Sequence, residues 1–176
     1  MRRPRFLNTI LGVVIAAGCA GDPASPLEPH AQPQAEASLL GGVLKPVSTL
    51  LLSCTPLPAT SRTVVIGSAG GTVSSGPYTL VVPKGALKSS VAITAEVVSD
   101  NVNSVRFSPD GLKFAESATL TMGYSNCFGA GMLLPKKIAY TSEGLKLLEI
   151  LSSLDLFSQK KVTTSIDHFS RYAIAF

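Results

Sequence analysis

A chain of 176 residues, 45% of them hydrophobic, is long enough to bury the core of one domain, but few of its residues can carry chemistry. With two His and no Trp, the composition disfavours a histidine-based zinc site and a carbohydrate platform of stacked aromatics. The net charge of +4 falls to +1 once the three N-terminal arginines are set aside, because 12 basic and 11 acidic residues remain, and no basic stripe is left for nucleic acid.

Residues 1–18 have the pattern of a secretory signal peptide. A basic stretch precedes an apolar run from Phe6 to Ala17, which is too short to stay as a membrane-spanning helix. The run ends in Ala16-Ala17-Gly18-Cys19, which resembles the lipobox of bacterial lipoproteins. In that family the cysteine is acylated and becomes the first mature residue, so the resemblance implies a membrane anchor at Cys19. An ordinary cleaved signal followed by a chance cysteine is the alternative.

Residues 19–38 predict a disordered, lipid-anchored tether. They are rich in Pro and Ala and nearly free of large apolar side chains, so they cannot bury enough surface to offset their ordering entropy. Ala20, not Asp, follows the cysteine, which in a Gram-negative lipoprotein implies sorting to the outer membrane. The predicted location is therefore the bacterial cell envelope, with the membrane as a partner through acylated Cys19.

Residues 39–56 form an apolar arm. Gly41, Gly42 and Pro46 interrupt any long helix, and the apolar part, residues 39–52, is too short to span a membrane. Either this segment lies on the bilayer, or it packs on the domain that follows. We favour packing on the domain.

Residues 57–176 predict an all-β fold, a single antiparallel β-sandwich. Apolar residues alternate with polar ones in four segments, and turn signals separate them every eight to twelve residues. These segments are residues 77–82, 91–98, 118–124 and 161–167. Pro109-Asp110-Gly111 suits a type I turn with Pro at its second and Gly at its fourth position. The run Gly144 to Phe157 fits neither period clearly.

Two cysteines, Cys54 and Cys127, remain in the predicted mature domain. Secretion places them in an oxidising compartment, where a disulfide is the default. The pair would close a loop of 74 residues (127 − 54 + 1), which gives about 4 kcal/mol by the chain-entropy estimate. Two free thiols or a metal pair are the alternatives, although the histidines needed to complete a metal site are scarce.

Motifs for cofactors and metals are not found in the sequence. The glycine-rich Gly67-Ser68-Ala69-Gly70-Gly71 lacks the Gly-Lys-Ser/Thr ending of a phosphate loop and is typical of a hairpin turn. Neither calcium-loop spacing nor a Gly-x-Ser-x-Gly elbow occurs. We therefore expect no cofactor, no metal and no nucleic-acid partner.

Three motifs in order resemble the ZU-five domain, the β-sandwich shared by zonula occludens proteins, uncoordinated-five netrin receptors and ankyrins. They are the Gly70-Gly71 turn, the corner Pro83-Lys84-Gly85-Ala86-Leu87, and the turn from Pro109 to Phe114. In the animal proteins this domain is an interaction and scaffold module. The resemblance implies a similar role here, with an unknown envelope protein or wall component as partner, although no death domain or ankyrin repeat accompanies it.

The ending HFSRYAIAF resembles the closing strand of bacterial lipoproteins that carry this domain, and of self-cleaving members of the ZU-five group. The self-cleaving relatives imply that Ser170 attacks the Phe169 carbonyl while His168 moves the proton. If one strand covers this region, its even-numbered side chains face the core and its odd-numbered ones face outward. The even set is Ile166, His168, Ser170, Tyr172, Ile174 and Phe176; the odd set is Asp167, Phe169, Arg171, Ala173 and Ala175. The structural interpretation, which we favour, makes His168 and Ser170 hydrogen-bonded fasteners of the last strand.

Three functions compete on these grounds. The favoured one is a lipid-anchored cell-envelope module with a structural or protein-interaction role and no catalysis on external substrates. The second is the same module with autoproteolysis at Phe169–Ser170. The third is a small outer-membrane β-barrel, suggested by the alternation that ends in Phe176, although its strands are shorter than barrels need. The sequence does not specify the ligand or the oligomeric state.

Overall fold

The computed structural model describes residues 50–176. The predicted signal peptide, the tether with Cys19, and residues 39–49 of the apolar arm lie outside the described residues. Within residues 50–176 the chain is all-β, as predicted, and contains no α-helix. Nor does any helix in this part have the length and apolar character that a membrane crossing requires.

Residues 60–175 contain eleven strands in two antiparallel sheets. The strands are β1 (Thr60–Ile66), β2 (Gly71–Ser75), β3 (Tyr78–Val82), β4 (Val91–Val98), β5 (Ser104–Ser108), β6 (Lys113–Gly123), β7 (Lys137–Thr141), β8 (Leu147–Ile150), β9 (Ser153–Leu156), β10 (Lys161–His168) and β11 (Arg171–Ala175). Sheet I has the order β1-β4-β5-β11-β7-β8, and sheet II has the order β2-β3-β6-β10-β9. The two sheets pack face to face, which confirms the predicted antiparallel sandwich.

The alternation predicted from sequence is confirmed in four strands. Side chains of one parity are buried in β3, β4, β6 and β10, and almost all of them belong to the common core. Burial requires this period because successive side chains of a strand point to opposite faces. The ambiguous run from Gly144 to Phe157 is two short strands, β8 in sheet I and β9 in sheet II. No single period fits it because the chain changes sheets between them.

The sandwich has two ends, at which different loops and turns meet. The crossover end comprises the hairpin at 67–70, the corner at 83–87, the turn at 109–112 and residues 168–170. The entry end comprises residues 50–54, the segment 124–136 and residues 157–161. Register places them apart: in sheet II, His168 pairs with Lys113 at the crossover end, whereas Lys161 pairs with Gly123 at the entry end.

The turn at the crossover end differs from the predicted type I turn. The N–H of Leu112 donates to the Pro109 carbonyl over 3.3 Å, so the turn begins at Pro109 and Gly111 is its third residue, with φ of +69°. The prediction of a turn closed by Gly111 was wrong because the N–H of Gly111 donates instead to the carbonyl of Phe169, at 3.2 Å. Glycine serves here because it adopts a positive φ without strain.

Part of the apolar arm belongs to the folded unit. The N–H of Leu52 donates to the Ile174 carbonyl at 2.9 Å, and the Phe176 N–H donates to the Leu50 carbonyl at 3.0 Å. Leu51 and Leu52 are both buried. For residues 50–56 the favoured prediction, packing of the arm on the domain, is confirmed, since Leu51 and Leu52 are buried beside β11.

Candidate functional site

The tripeptide His168-Phe169-Ser170 is a crossover between the sheets. Strand β10 ends at His168 in sheet II, and β11 begins at Arg171 in sheet I. The expectation of a single strand through this region was therefore wrong. His168 and Ser170 are half-buried residues on either side of a bend, with no side-chain hydrogen bond between them in the described structure.

Phe169, which was predicted to face outward, lies in the core. Only 1% of it is exposed, and its ring stacks on Phe107 with centroids 5.2 Å apart and meets Phe114 edge-on at 5.1 Å. Its N–H donates to the Leu112 carbonyl at 2.8 Å. In one continuous strand the odd-numbered Phe169 would face outward. The chain changes sheets here, so Phe169 points into the core and holds the crossover in place.

His168 fastens the crossover through its backbone. Its carbonyl accepts a hydrogen bond from the hydroxyl of Tyr172 at 2.7 Å, and its imidazole meets the ring of Tyr140 edge-on at 5.0 Å. Burial raises the pKa of Tyr172, so this donor keeps its proton over the whole physiological range. The sequence predicted hydrogen bonds by the side chains of His168 and Ser170. In the structure, the backbone carbonyl of His168 accepts the hydrogen bond instead.

The geometry for self-cleavage is incomplete. A reacting Ser170 would need a base within hydrogen-bond reach and donors for the oxyanion at the Phe169 carbonyl. One donor is present, the N–H of Gly111, and no base is hydrogen-bonded to the Ser170 hydroxyl among residues 50–176. Left-handed backbone at non-glycine positions, a form of stored strain, occurs in that part of the chain at Leu145 and Lys160, away from the tripeptide.

Arg171, to which the sequence analysis attached no chemistry, is a buried structural cation. Its guanidinium donates to Asp100 at 2.7 Å, to Ser104 at 2.9 Å and to the carbonyl of Glu143. This network lies on the outer face of sheet I, where Leu51 packs with small residues of β7 and β11. All five residues of β11 are buried. The predicted exposed face of this strand is therefore covered.

Cys54 and Cys127 form the predicted disulfide. The two residues face each other across an antiparallel bridge, and neighbouring backbone bonds join the same segments: Thr55 N–H to the Asn126 carbonyl at 3.0 Å, and Phe128 N–H to the Ser53 carbonyl at 3.0 Å. The bond links residues 50–54 to the segment that follows β6. It therefore closes the entry end covalently.

Lys136 is a second buried cation, which sequence reasoning missed. It is fully buried, and its ammonium donates to the carbonyl of Leu134 and lies 5.6 Å from the centroid of the Tyr124 ring. Asp155 accepts the N–H of Lys136 at 2.8 Å and the hydroxyl of Tyr124 at 2.6 Å. Burial lowers the pKa of Lys136, and the charge of Asp155 partly offsets this. A lysine that follows Leu133-Leu134-Pro135 and precedes a second lysine carries no sequence signal for burial.

Neither a metal-binding cluster nor a substrate-like pocket is evident in the described residues. Within residues 50–176, no group of three His, Cys, Asp or Glu side chains could hold a metal ion. A cleft of about 380 Å³ lies at the crossover end, lined by Leu87, Lys88, Val91 and Leu112 among others, and one of about 400 Å³ lies at the entry end between Leu51, Phe128 and Phe176. Neither has convergent polar groups of the kind that orient a substrate.

Comparison with known proteins adds no assignment. No protein-family model matches the chain, and no curated protein is similar to it.

Proposed function

We propose that the protein is a lipid-anchored module of the bacterial cell envelope with a structural or protein-interaction role and no catalysis on external substrates. The observation that carries the proposal is the use of the cysteines. The chain has three, and the disulfide uses Cys54 and Cys127, so the third is Cys19, at the end of the lipobox-like sequence. A disulfide in the folded domain agrees with export to an oxidising compartment.

The arrangement of the turns supports a ZU-five-like domain. All three motifs of the resemblance lie at the crossover end and contact one another or the closing strand. Gly85 N–H donates to the Ser68 carbonyl at 2.9 Å, and Ala115 N–H donates to the Ala86 carbonyl at 2.9 Å. At Gly70, which has φ of +77°, an added Cβ would lie 2.5 Å from the carbonyl oxygen of Val82, so this turn requires glycine. Because these turns contact one another, they form one structural unit, which fits the fixed order of the motifs in the family that the chain resembles.

A non-enzymatic role is supported by the crossover. Ser170 has no base hydrogen-bonded to it in the described chain, and the Phe169 carbonyl has one oxyanion donor. Cleavage there would also leave β11 hydrogen-bonded between β5 and β7, in the middle of sheet I. The freed segment would stay in place, so the reaction would release no product.

The anchor is tested by labelling the full chain with palmitate in a bacterial host. The wild type should incorporate label and fractionate with membranes, because two or more acyl chains give stable anchoring. Cys19→Ser should lose both label and membrane retention, or accumulate unprocessed. The matched control is Cys54→Ala/Cys127→Ala, which keeps Cys19 and should keep the label. A wild type that never incorporates palmitate would contradict the anchor.

The interaction role is tested by cross-linking intact envelopes and recovering the protein under denaturing conditions. A defined protein or wall fragment should be cross-linked to the wild type in stoichiometric amount. Recovery of the uncross-linked chain alone, at the same level as an unrelated lipoprotein, would contradict an interaction role.

A further inference from the structure

The entry end exposes several large apolar side chains. Leu133 is 90% exposed, and Phe128, Leu134 and Phe157 are each about half exposed or more. Leu133 and Leu134 border a cleft shared with Pro135 and Phe157. Phe128 precedes the short 3-10 helix Ala130–Leu133 and lines a second cleft with Leu51 and Phe176. These four residues, Phe128, Leu133, Leu134 and Phe157, are called the apolar rim.

The rim has positive charge beside it. The ammonium of Lys160 lies 3.8 Å from the centroid of the Phe157 ring. Lys137 is the first residue of β7, and Lys161 is the first residue of β10. Lys161 is exposed, and the other two are partly exposed. Asp155 lines the same cleft, and its negative charge is offset by the buried ammonium of Lys136, with which it interacts electrostatically. The uncompensated charge around the apolar rim is therefore positive.

The rim lies where the chain enters the sandwich. Residue 50 is at the entry end, and 30 residues, numbers 20–49, connect it to Cys19. A chain anchored at Cys19 and entering at this end presents this end towards its own membrane more readily than the crossover end. The same surface combines leucines and phenylalanines, which enter the headgroup and acyl boundary, with lysines, which pair with lipid phosphates.

We infer that the entry end docks directly on an anionic lipid surface, with the apolar rim inserted at the headgroup level and Lys137, Lys160 and Lys161 facing the phosphates. The docking deepens the proposed function, since it assigns the anchored domain one orientation on the membrane. It adds a second contact to the acyl anchor. Long lysine side chains suit this role because their stems lie along apolar surface while the charged end reaches the phosphate layer.

The test places an environment-sensitive fluorophore at two exposed apolar positions of the purified full chain, through Leu133→Cys or Val65→Cys, with the native disulfide intact. Where Cys19 carries no acyl group, Cys19→Ser is added so that the label reacts with one thiol. Val65 is the matched control because it is 67% exposed and lies in β1, near the crossover end. Each labelled protein is mixed with vesicles of phosphatidylglycerol and phosphatidylcholine, or of phosphatidylcholine alone. Palmitate content is measured separately on the same preparations.

The expected result is a blue shift, and quenching by lipid-borne quenchers, at position 133 but not at position 65. The signal should be stronger on anionic vesicles and should weaken at high salt, because the Debye length falls from about 10 Å at 0.1 M to about 3 Å at 1 M. In the otherwise unlabelled chain, Leu133→Ser should lower partition to anionic vesicles about tenfold, whereas Val65→Ser should leave it unchanged.

Equal responses at the two positions would overturn the docking, whether or not the protein carries palmitate. A blue shift at position 133 before vesicles are added would also overturn it, because another part of this chain or a second copy would then cover the rim. A selective response in a preparation without palmitate would support docking and contradict the acyl anchor. The two proposals are thus separated by the same samples.

Discussion

The two ends of the sandwich place apolar and charged residues in opposite ways. At the crossover end Phe169 is buried between Phe107 and Phe114, and the polar residues beside it are half exposed. At the entry end Leu133 is exposed and Lys136 is buried. The crossover end is stabilised by aromatic packing, whereas the entry end is stabilised by the Cys54–Cys127 disulfide and the bonds to Asp155. An end that keeps its apolar side chains outside needs such additional links.

The largest expected effect comes from exchanging one aromatic at each end. Phe169→Ala should lower the free energy of unfolding by about 3–5 kcal/mol, because it removes a buried ring and leaves a cavity. Phe157→Ala is the control, since its ring is 57% exposed, and it should change stability by less than about 0.5 kcal/mol. Urea unfolding of the two variants measures the difference. If both variants lose a similar free energy of unfolding, the proposed difference between the two ends is contradicted.

The next effect concerns the covalent link. Cys54→Ala/Cys127→Ala should lower the free energy of unfolding by about 2–4 kcal/mol, since the unfolded chain loses the closure of a long loop. When the unreduced wild type is alkylated, Cys54 and Cys127 should remain unalkylated. Digestion should then yield one disulfide-linked peptide pair. Two alkylated thiols in the exported protein would contradict the disulfide, and the entry end would then need another source of stability.

A smaller effect of opposite sign is expected at Lys136. Lys136→Met should raise the free energy of unfolding by about 1 kcal/mol at neutral pH, because it replaces a buried ammonium that is paired mainly with a carbonyl. The pKa of Lys136 is lowered by burial below its ordinary value of 10.5, so the unfolded wild type binds more protons in the window beneath that value. Stability of the wild type rises with pH through this window, and the advantage of the variant should shrink.

The measurement is the stability difference between Lys136→Met and wild type from pH 7 to pH 10.5. The buried tyrosines, whose own titration destabilises both proteins at alkaline pH, largely cancel in the difference. Arg171→Met is the comparison at the other buried cation, which is paired with Asp100. Its effect should stay constant over this range. A difference for Lys136→Met that does not change with pH would contradict the buried ammonium.

No change at all is expected at Ser170. Intact mass under denaturing conditions should show one species that retains residues 170–176, and Ser170→Ala should differ from it only by the substitution. Denaturation is essential because a cleaved β11 would remain paired in sheet I. If residues 170–176 are lost from the wild type and Ser170→Ala abolishes the loss, the crossover is a self-cleaving site, and the structural interpretation is contradicted.

Alternation predicted the strands that have one buried and one open face. Strands β3, β4, β6 and β10 are of this kind, and their core residues are those that the period indicates. Strand β11 is not, because Leu51 and the side chain of Arg171 cover its second face and both parities become apolar or paired. A pattern of period two cannot mark a strand without an exposed face.

The Cys54–Cys127 pair was predictable from the sequence, whereas the geometry at His168-Phe169-Ser170 was not. The cysteine pair followed from the predicted compartment and the count of cysteines, without any knowledge of contacts. The crossover was hidden because a change of sheet at Phe169 leaves no turn residue in the sequence, only a reversal of which parity is buried. The burial of Lys136 and the exposure of Leu133 oppose their hydropathy, so only the tertiary structure reveals them.

The position of β11 has a consequence for how the chain acquires its structure. Among the strands of residues 50–176 it is the most C-terminal, yet it lies between β5 and β7 in sheet I. Until it arrives, β1-β4-β5 and β7-β8 are two separate half-sheets, each with an unpaired edge that can pair with another chain. Contacts such as Arg171 with Asp100, 71 residues apart, must form late, and folds dominated by distant pairings form slowly, in milliseconds to seconds. The period of greatest exposure to aggregation therefore falls between synthesis of Thr141 and insertion of the five residues from Arg171 to Ala175.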